Sequence, residues 1–350
     1  MGWTSLTKIT EENIRDTVSI ALAYTPRERA VIIYDTNSDL AKLLSGAYQA
    51  VLPDADAFDF DRSDSEVILE QFNKLSPGDL VILIQSTSFR LSRFRIRLEL
   101  FNRKLKVIEH PHLGRIPEEE FAVYVDSIAY DPSYYRTIGP QLRDCISRAK
   151  KVRITCEDAE LVYDSSFLEP KLNIGDYEDM KNIGGQYPIG EVFTEPEEIS
   201  RLSGTAKIFA FGDTDFRVNV PKEAFTVRIE EGLLVSSPDA PEGFERVLEK
   251  IREKEEVVWV RELGFGLNRA FSRDRRVSDI GTYERMCGIH LSLGAKHLQY
   301  KKPGFPKKGG FHVDVFVDAK TVEIDGVTVF QDGTYTLRPF RKNRPFSSLP

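Results

Sequence analysis

Over the first 150 residues the apolar positions come as short continuous runs separated by longer amphipathic stretches. AVIIYDT (30–36) and DLVILIQS (79–86) read as strands buried on both faces, with ADAFDF and KVIEH as further strands. Asn37, Ser38 and Asp39 are cap-forming residues that open a helix running to residue 50. SEVILEQFNKL is a second helix, and a third covers about 91–103. Strand and helix in alternation predict a parallel sheet with helices on both faces. The turn after the first strand lacks GxGxxG, so this Rossmann-like pattern carries no dinucleotide fingerprint.

A helix in YRTIGPQLRDCISRAKK closes this half, and the texture changes near residue 150. VRITCEDAELVYD, KIFAFGD, FTVRIEEGLLVSS, EVVWVREL, GFHVDVFVD, KTVEIDGV and TVFQDGTYTL read as strands. Asp325-Gly326 and Asp332-Gly333 are hairpin turn signals between them. Helices intervene at about 241–254 and about 285–296. The pattern predicts an α/β Rossmann-like domain over 1–150 and a strand-rich α+β domain over 151–350.

The chain of 350 residues is 41% hydrophobic and 29% charged, which suits globular domains with real cores. A net charge of -7 offers no global attraction to nucleic acid, and the basic RPFRKNR (338–344) reads as a loose tail. No apolar run reaches the roughly 18 residues of a membrane helix, and the first residues lack an apolar signal core. Cys145, Cys156 and Cys287 have no CxxC spacing and read as free thiols, which points to the cytoplasm.

Against this background the histidines matter. Of five, His290, His297 and His312 lie near the C-terminal end. In FHVDVFVD, His312 and Asp314 share one face of a strand while valines pack behind, an arrangement costly to bury without a cation between them. A strand at a polar surface would show the same alternation. In HLSLGAKH, His290 and His297 are seven apart, nearly two helical turns, and Glu284 precedes them. Ordinary helix-face histidines are the plainer alternative. Glu262 ends an apolar strand in VVWVRELGFGLN, where Gly264 and Gly266 read as a turn. Glu191 lies in YPIGEVFTEPEE, whose Glu195, Glu197 and Glu198 read as a solvated, helix-initiating run. His110 and His112 in EHPHLG read as a loop bearing solvent-exposed histidines. Ser236, Ser237 and Cys287 have no nucleophile-activating context. Two Glu, two or three His and one Asp form a donor set for two borderline divalent cations such as Zn, Co or Mn, whose chemistry is hydrolysis.

GEVFTEPEE, ELGFGLNRA, the Glu284 to HLSLG segment, HVDVFVD, and VEIDGV with FQDGTY occur in that order. Together they resemble the thermophilic aminopeptidase T family of metallo-aminopeptidases, over about 189–337. The resemblance implies that Glu191 ligates one metal, that Glu262 is shared between two, and that His290, His312 and Asp314 complete the set. Glu284 stands one residue out of step with a further family glutamate that would be a ligand, and either Glu191 or Glu284 would shuttle the proton. The family has a tyrosine where this chain has His297, which would serve as a ligand or a transition-state donor. The expected substrate is a peptide or small amide cleaved at its free N-terminus, by a homodimer. Two alternatives stand beside this one. A mononuclear non-haem iron ring-cleaving dioxygenase, like the 2,5-dihydroxypyridine dioxygenases, would use His290, His312 and Asp314 on Fe. A non-catalytic relative would bind metal and a peptide or small molecule.

Overall fold

The computed structural model describes residues 2–91, 96–178, 180–300 and 310–337. The basic tail at 338–344 and the first part of the helix expected at 91–103 lie outside the described residues.

The N-terminal elements are α1 (Trp3–Asp16), β1 (Ala30–Tyr34), α2 (Asp39–Val51), β2 (Asp56–Asp59), α3 (Ser65–Asn73), β3 (Leu80–Ile84), α4 (Ile96–Asn102) and β4 (Lys106–His110). Ser38 caps α2, its hydroxyl accepting from the Ala41 N–H at 3.2 Å. The four strands pair in parallel. Alternate residues of each strand point to opposite faces and both faces are covered, which is why the runs are apolar throughout. Ile32, Ile82 and Ile108 pack with Ile14 of α1 and Leu44 of α2. Val31, Val81 and Val107 pack with Phe72 of α3 and Leu100 of α4. His110 is a correction to the sequence reading. It ends β4 fully buried, its ring nitrogens each 2.8 Å from a tyrosine hydroxyl, Tyr48 and Tyr124, and burial lowers its pKa to about 3.

After α5 (Phe121–Ser127) and α6 (Pro132–Arg148) come β5 (Val152–Thr155), β6 (Glu160–Tyr163), β7 (Lys171–Asn173) and β8 (Gly184–Gln186). β8 joins the parallel sheet beside β4, so that sheet takes a strand from beyond residue 150 and reads β2-β1-β3-β4-β8. Gly184 is required there: a Cβ would sit 1.9 Å from the Val107 carbonyl oxygen. From this edge the chain passes through Tyr187, whose N–H bonds the Glu109 carbonyl at 2.8 Å, and at Glu191 returns to the second sheet, to which β5, β6 and β7 already belong.

That sheet contains β9 (Glu191–Thr194), β10 (Leu202–Gly212), β11 (Val218–Asn219), β12 (Phe225–Glu230), β13 (Leu233–Ser236), β14 (Val260–Gly266), β15 (Gly288–Gly294), β16 (His312–Val317), β17 (Thr321–Ile324), β18 (Val327–Gln331) and β19 (Thr334–Tyr335). Its main path is β19-β18-β17-β5-β6-β10-β16-β15-β14-β9-β7, with β11, β12 and β13 hung from β10. The two expected Asp-Gly turns are present with positive φ at all four residues, as a type I′ hairpin requires. α7 (Glu242–Glu255) buries Phe244, Val247, Leu248 and Ile251 against this core.

Two local expectations fail here. Residues 285–296 are not a helix: after one short turn, α8 (Ile280–Tyr283), the chain forms β15, every residue of which is buried. Ile289, Leu291 and Leu293 alternate with His290 and Ser292, a period of two that fits a strand between β14 and β16. Glu262 does not end its strand either, because β14 runs on through Gly264 and Gly266.

Candidate metal centre

Glu191, Glu262, His290, His312 and Asp314 come from four neighbouring strands, β9, β14, β15 and β16. The register sets Glu191 opposite Gly266, His290 opposite Gly264, Asp314 opposite Ser292, and His312 opposite Gly294. Residues opposite across a ladder, and residues two apart along a strand, share a face. One face therefore collects these side chains. Glu262 reaches it through a bulge: pairing steps from Leu263 opposite Leu291 to Val260 opposite Leu293, which leaves one extra residue on β14. The Glu262 N–H donates to Ser292 Oγ at 3.1 Å and ties the bulge to β15. Gly264 makes room. A Cβ on it would lie 2.0 Å from His290 Nε2 and 2.1 Å from Cε1, so the imidazole occupies the space a side chain would fill.

His290 Nε2 lies 3.4 Å from Glu191 Oε1 and 3.5 Å from Glu262 Oε1. His312 Nε2 lies 3.3 Å from Asp314 Oδ1. Glu191, Glu262, His290 and Asp314 are each at most 5% exposed, while the His312 side chain is 28% exposed. Three carboxylates crowded in a buried space repel one another and lose hydration, an arrangement costing several kcal/mol unless positive charge compensates. Hydrogen bonds do not supply that compensation: Glu262 Oε2, His290 Nε2 and Asp314 Oδ1 are buried without a hydrogen-bond partner among the described residues. The donors fall into two groups, Glu191, Glu262 and His290, and Glu262, His312 and Asp314; within each, one ligand atom per residue lies within 4.8 Å of the others. Glu262 belongs to both. The Nδ1 of His312 is 3.1 Å from the Ala295 carbonyl oxygen, so Nδ1 donates and Nε2 is turned toward Asp314. That is the orientation of a metal-ligating imidazole steadied by a backbone carbonyl. These residues fit divalent cations.

Electrostatics agree. Burial disfavours the charged form of His290, but Glu191 and Glu262 outweigh it and raise the imidazole to about 10. Burial likewise opposes protonation of His312, and Asp314 raises it to about 10. Burial opposes ionisation of Glu191, yet Arg285 and His290 hold its carboxyl low. Without cations both imidazoles therefore carry protons at neutral pH. Their contribution to stability is complete below the ordinary histidine pKa and fades as pH rises toward 10. A cation must displace these protons, so metal uptake is expected to release on the order of one to two protons per chain near pH 7. Calorimetric titration with Mn2+ in buffers of unlike ionisation enthalpy reads this directly. Identical heats in every buffer would contradict the assignment.

Solved structures of two enzymes share this fold. A 2,5-dihydroxypyridine dioxygenase from Pseudomonas putida KT2440 matches with a TM-score of 0.62 at 13% identity, over 96% of this chain and 98% of that one. AmpT, an aminopeptidase T from Thermus thermophilus, matches with a TM-score of 0.57 at 14% identity, over 94% of this chain and 99% of that one. At such identities the likeness concerns the fold and leaves the chemistry to the site. No family model matches the chain, and no curated protein is significantly similar in sequence.

The remaining sequence candidates sit around the centre. Glu284 belongs to neither donor group; its carboxylate pairs with Arg285 Nη1. His297 also lies outside both groups, half-buried, its ring 5.6 Å from His312 and edge-on to Phe193 at 4.8 Å. Glu195, read from the sequence as solvated, is instead 4% exposed and accepts the His297 N–H at 3.0 Å. Its carboxylate is consumed in holding the His297 turn beside Lys296. Arg285 was not legible as a site residue. Its side chain is 6% exposed, with Nη2 3.9 Å from Glu191 Oε2, and nothing in TYERMCG marks a buried guanidinium.

Proposed function

We propose that this chain is a dinuclear metal-dependent aminopeptidase, removing N-terminal residues from peptides or small amides. The observation that carries the reading is Glu262, common to two donor groups that each supply an imidazole and a second carboxylate. Three carboxylates and two imidazoles suit a pair of Zn, Co or Mn ions better than one iron, for which two imidazoles and one carboxylate suffice. Bound there, such ions supply Lewis acidity toward an amide carbonyl and lower the pKa of water. The protein's part is to fix the donors on four rigid strands and to keep them dry. Glu284, outside the donor groups and paired with Arg285, would be the carboxylate that carries a proton between water and the departing amine. His297, its ring 5.6 Å from that of His312, would supply a further polar group to the substrate.

AmpT gives precedent for an aminopeptidase on this fold. The test is to load the purified chain with Mn2+, Co2+ or Zn2+ and offer aminoacyl anilides and short peptides. Release from free N-termini, absent when the amine is acetylated, is the expected result. One iron per chain with oxygen uptake on a dihydroxypyridine would replace this reading with a dioxygenase. Two bound ions without hydrolysis of any amide would replace it with a non-catalytic one.

A further inference from the structure

The metal centre has a cationic neighbour that ligation does not need. The Arg285 side chain is 6% exposed, three residues before the start of β15. A guanidinium offers five N–H donors in a rigid fork. Nη1 is engaged by the Gly281 carbonyl and by the Glu284 carboxylate. Nη2 stands 3.9 Å from Glu191 Oε2, close enough to attract but too far to hydrogen-bond. Nε is buried and has no hydrogen-bond partner among the described residues. Nε and Nη2 form one edge of the fork, the edge that engages a carboxylate through two parallel hydrogen bonds. Glu191, the neighbour of that edge, belongs to the first donor group, so an anion held there lies against the metal centre.

Glu284 on one side and Glu191 on the other offset the charge of the guanidinium, yet its buried Nε is left without a hydrogen-bond partner among the described residues. That unmatched donor is explained if the substrate brings an acceptor with negative charge of its own. Resting on the metal-centre reading above, we propose that Arg285 is a carboxylate-binding residue. The substrate would carry a carboxylate beside the group that meets the metals. An acidic N-terminal side chain and the free C-terminus of a dipeptide share this chemistry. Glu284 steadies the guanidinium from its opposite edge, leaving the Nε and Nη2 edge for the ligand.

The test uses the Mn2+-loaded full chain and two metal-binding probes, acetohydroxamate and its carboxylate-bearing analogue succinomonohydroxamate, with affinity measured by calorimetry and metal content alongside. Wild type should prefer the carboxylate-bearing probe by about tenfold or more. Arg285→Met should abolish that preference while keeping its metal and its affinity for acetohydroxamate. Arg285→Lys, which keeps the charge but loses the fork, should retain part of it. Equal binding of both probes by wild type, or a preference that survives Arg285→Met, overturns the proposal. So does equal weakening of both probes with loss of metal in Arg285→Met, which would make Arg285 a positioning residue for Glu191. If wild type takes up no metal, the metal-centre reading itself fails and this proposal falls with it. The source of the carboxylate is then read by comparing glutamyl anilide with a dipeptide of uncharged side chains and free C-terminus: preference for the first marks a side chain, for the second a C-terminus.

Discussion

Glu262→Gln is expected to lower the metal content from two ions per chain to at most one and to abolish hydrolysis. The substitution keeps the size of the side chain, so the bulge on β14 and the Glu262 N–H bond to Ser292 have no reason to change. What it removes is the charge at the one residue common to both donor groups. An amide oxygen is a poor substitute for a carboxylate toward a divalent cation and does not neutralise a pair of them. Several kcal/mol of transition-state charge stabilisation are at stake, on the order of a thousandfold in rate. The fold should persist, because the variant removes one of three mutually repelling buried carboxylates. Elemental analysis, circular dichroism and the anilide assay on one preparation check all three parts. A variant with full activity and two ions would refute the shared role of Glu262.

Gly264→Ala should be nearly as damaging, although it adds only a methyl group that touches no substrate. The new Cβ would fall 2.0 Å from His290 Nε2, well inside contact distance. His290 is buried between β14 and β16, so its ring can move only by displacing packed neighbours. The imidazole must swing away from Glu191 and Glu262, and the first donor group loses its nitrogen. The second group, Glu262, His312 and Asp314, should keep its ion. The expected outcome is one ion per chain, loss of hydrolysis, and about 1–3 kcal/mol less stability from overpacking. Metal stoichiometry with thermal unfolding of the metal-free protein measures both effects. Retention of two ions and unchanged melting would show that His290 does not lie over Gly264.

The same glycine shows where the sequence was opaque. ELGFG reads locally as a turn because two glycines in a strand pattern usually break it. Here both are explained by neighbours distant in sequence: His290 fills the space over Gly264, and the Met286 carbonyl lies where a Cβ on Gly266 would stand. The helix expected around His290 has a similar origin. His290 and His297 are spaced for a helix face, yet the alternation of Ile289, Leu291 and Leu293 obeys a strand, and burial on both faces decides it. By contrast, LVILI and AVIIY carry their strand character in every residue, and the Asp-Gly hairpins carry their turn chemistry locally. His312 and Asp314 were readable as a pair because i and i+2 on one strand need no partner to share a face. The meeting of Glu191 and Glu262 with His290 depends on the register of three strands and one bulge, which no single stretch of sequence contains. Arg285 and Glu195 were missed because their burial comes from tertiary packing around ordinary-looking charged residues.

If Glu262, common to both donor groups, holds two cations at once, the two ions would be joined through its carboxylate. Electron paramagnetic resonance of the Mn2+-loaded chain tests it most directly, since ions bridged by one carboxylate are exchange-coupled and isolated ions are not. A coupled dinuclear signal is expected at two equivalents of Mn2+, replaced by the spectrum of a single isolated ion in Glu262→Gln. Uncoupled signals from wild type at every loading would contradict it.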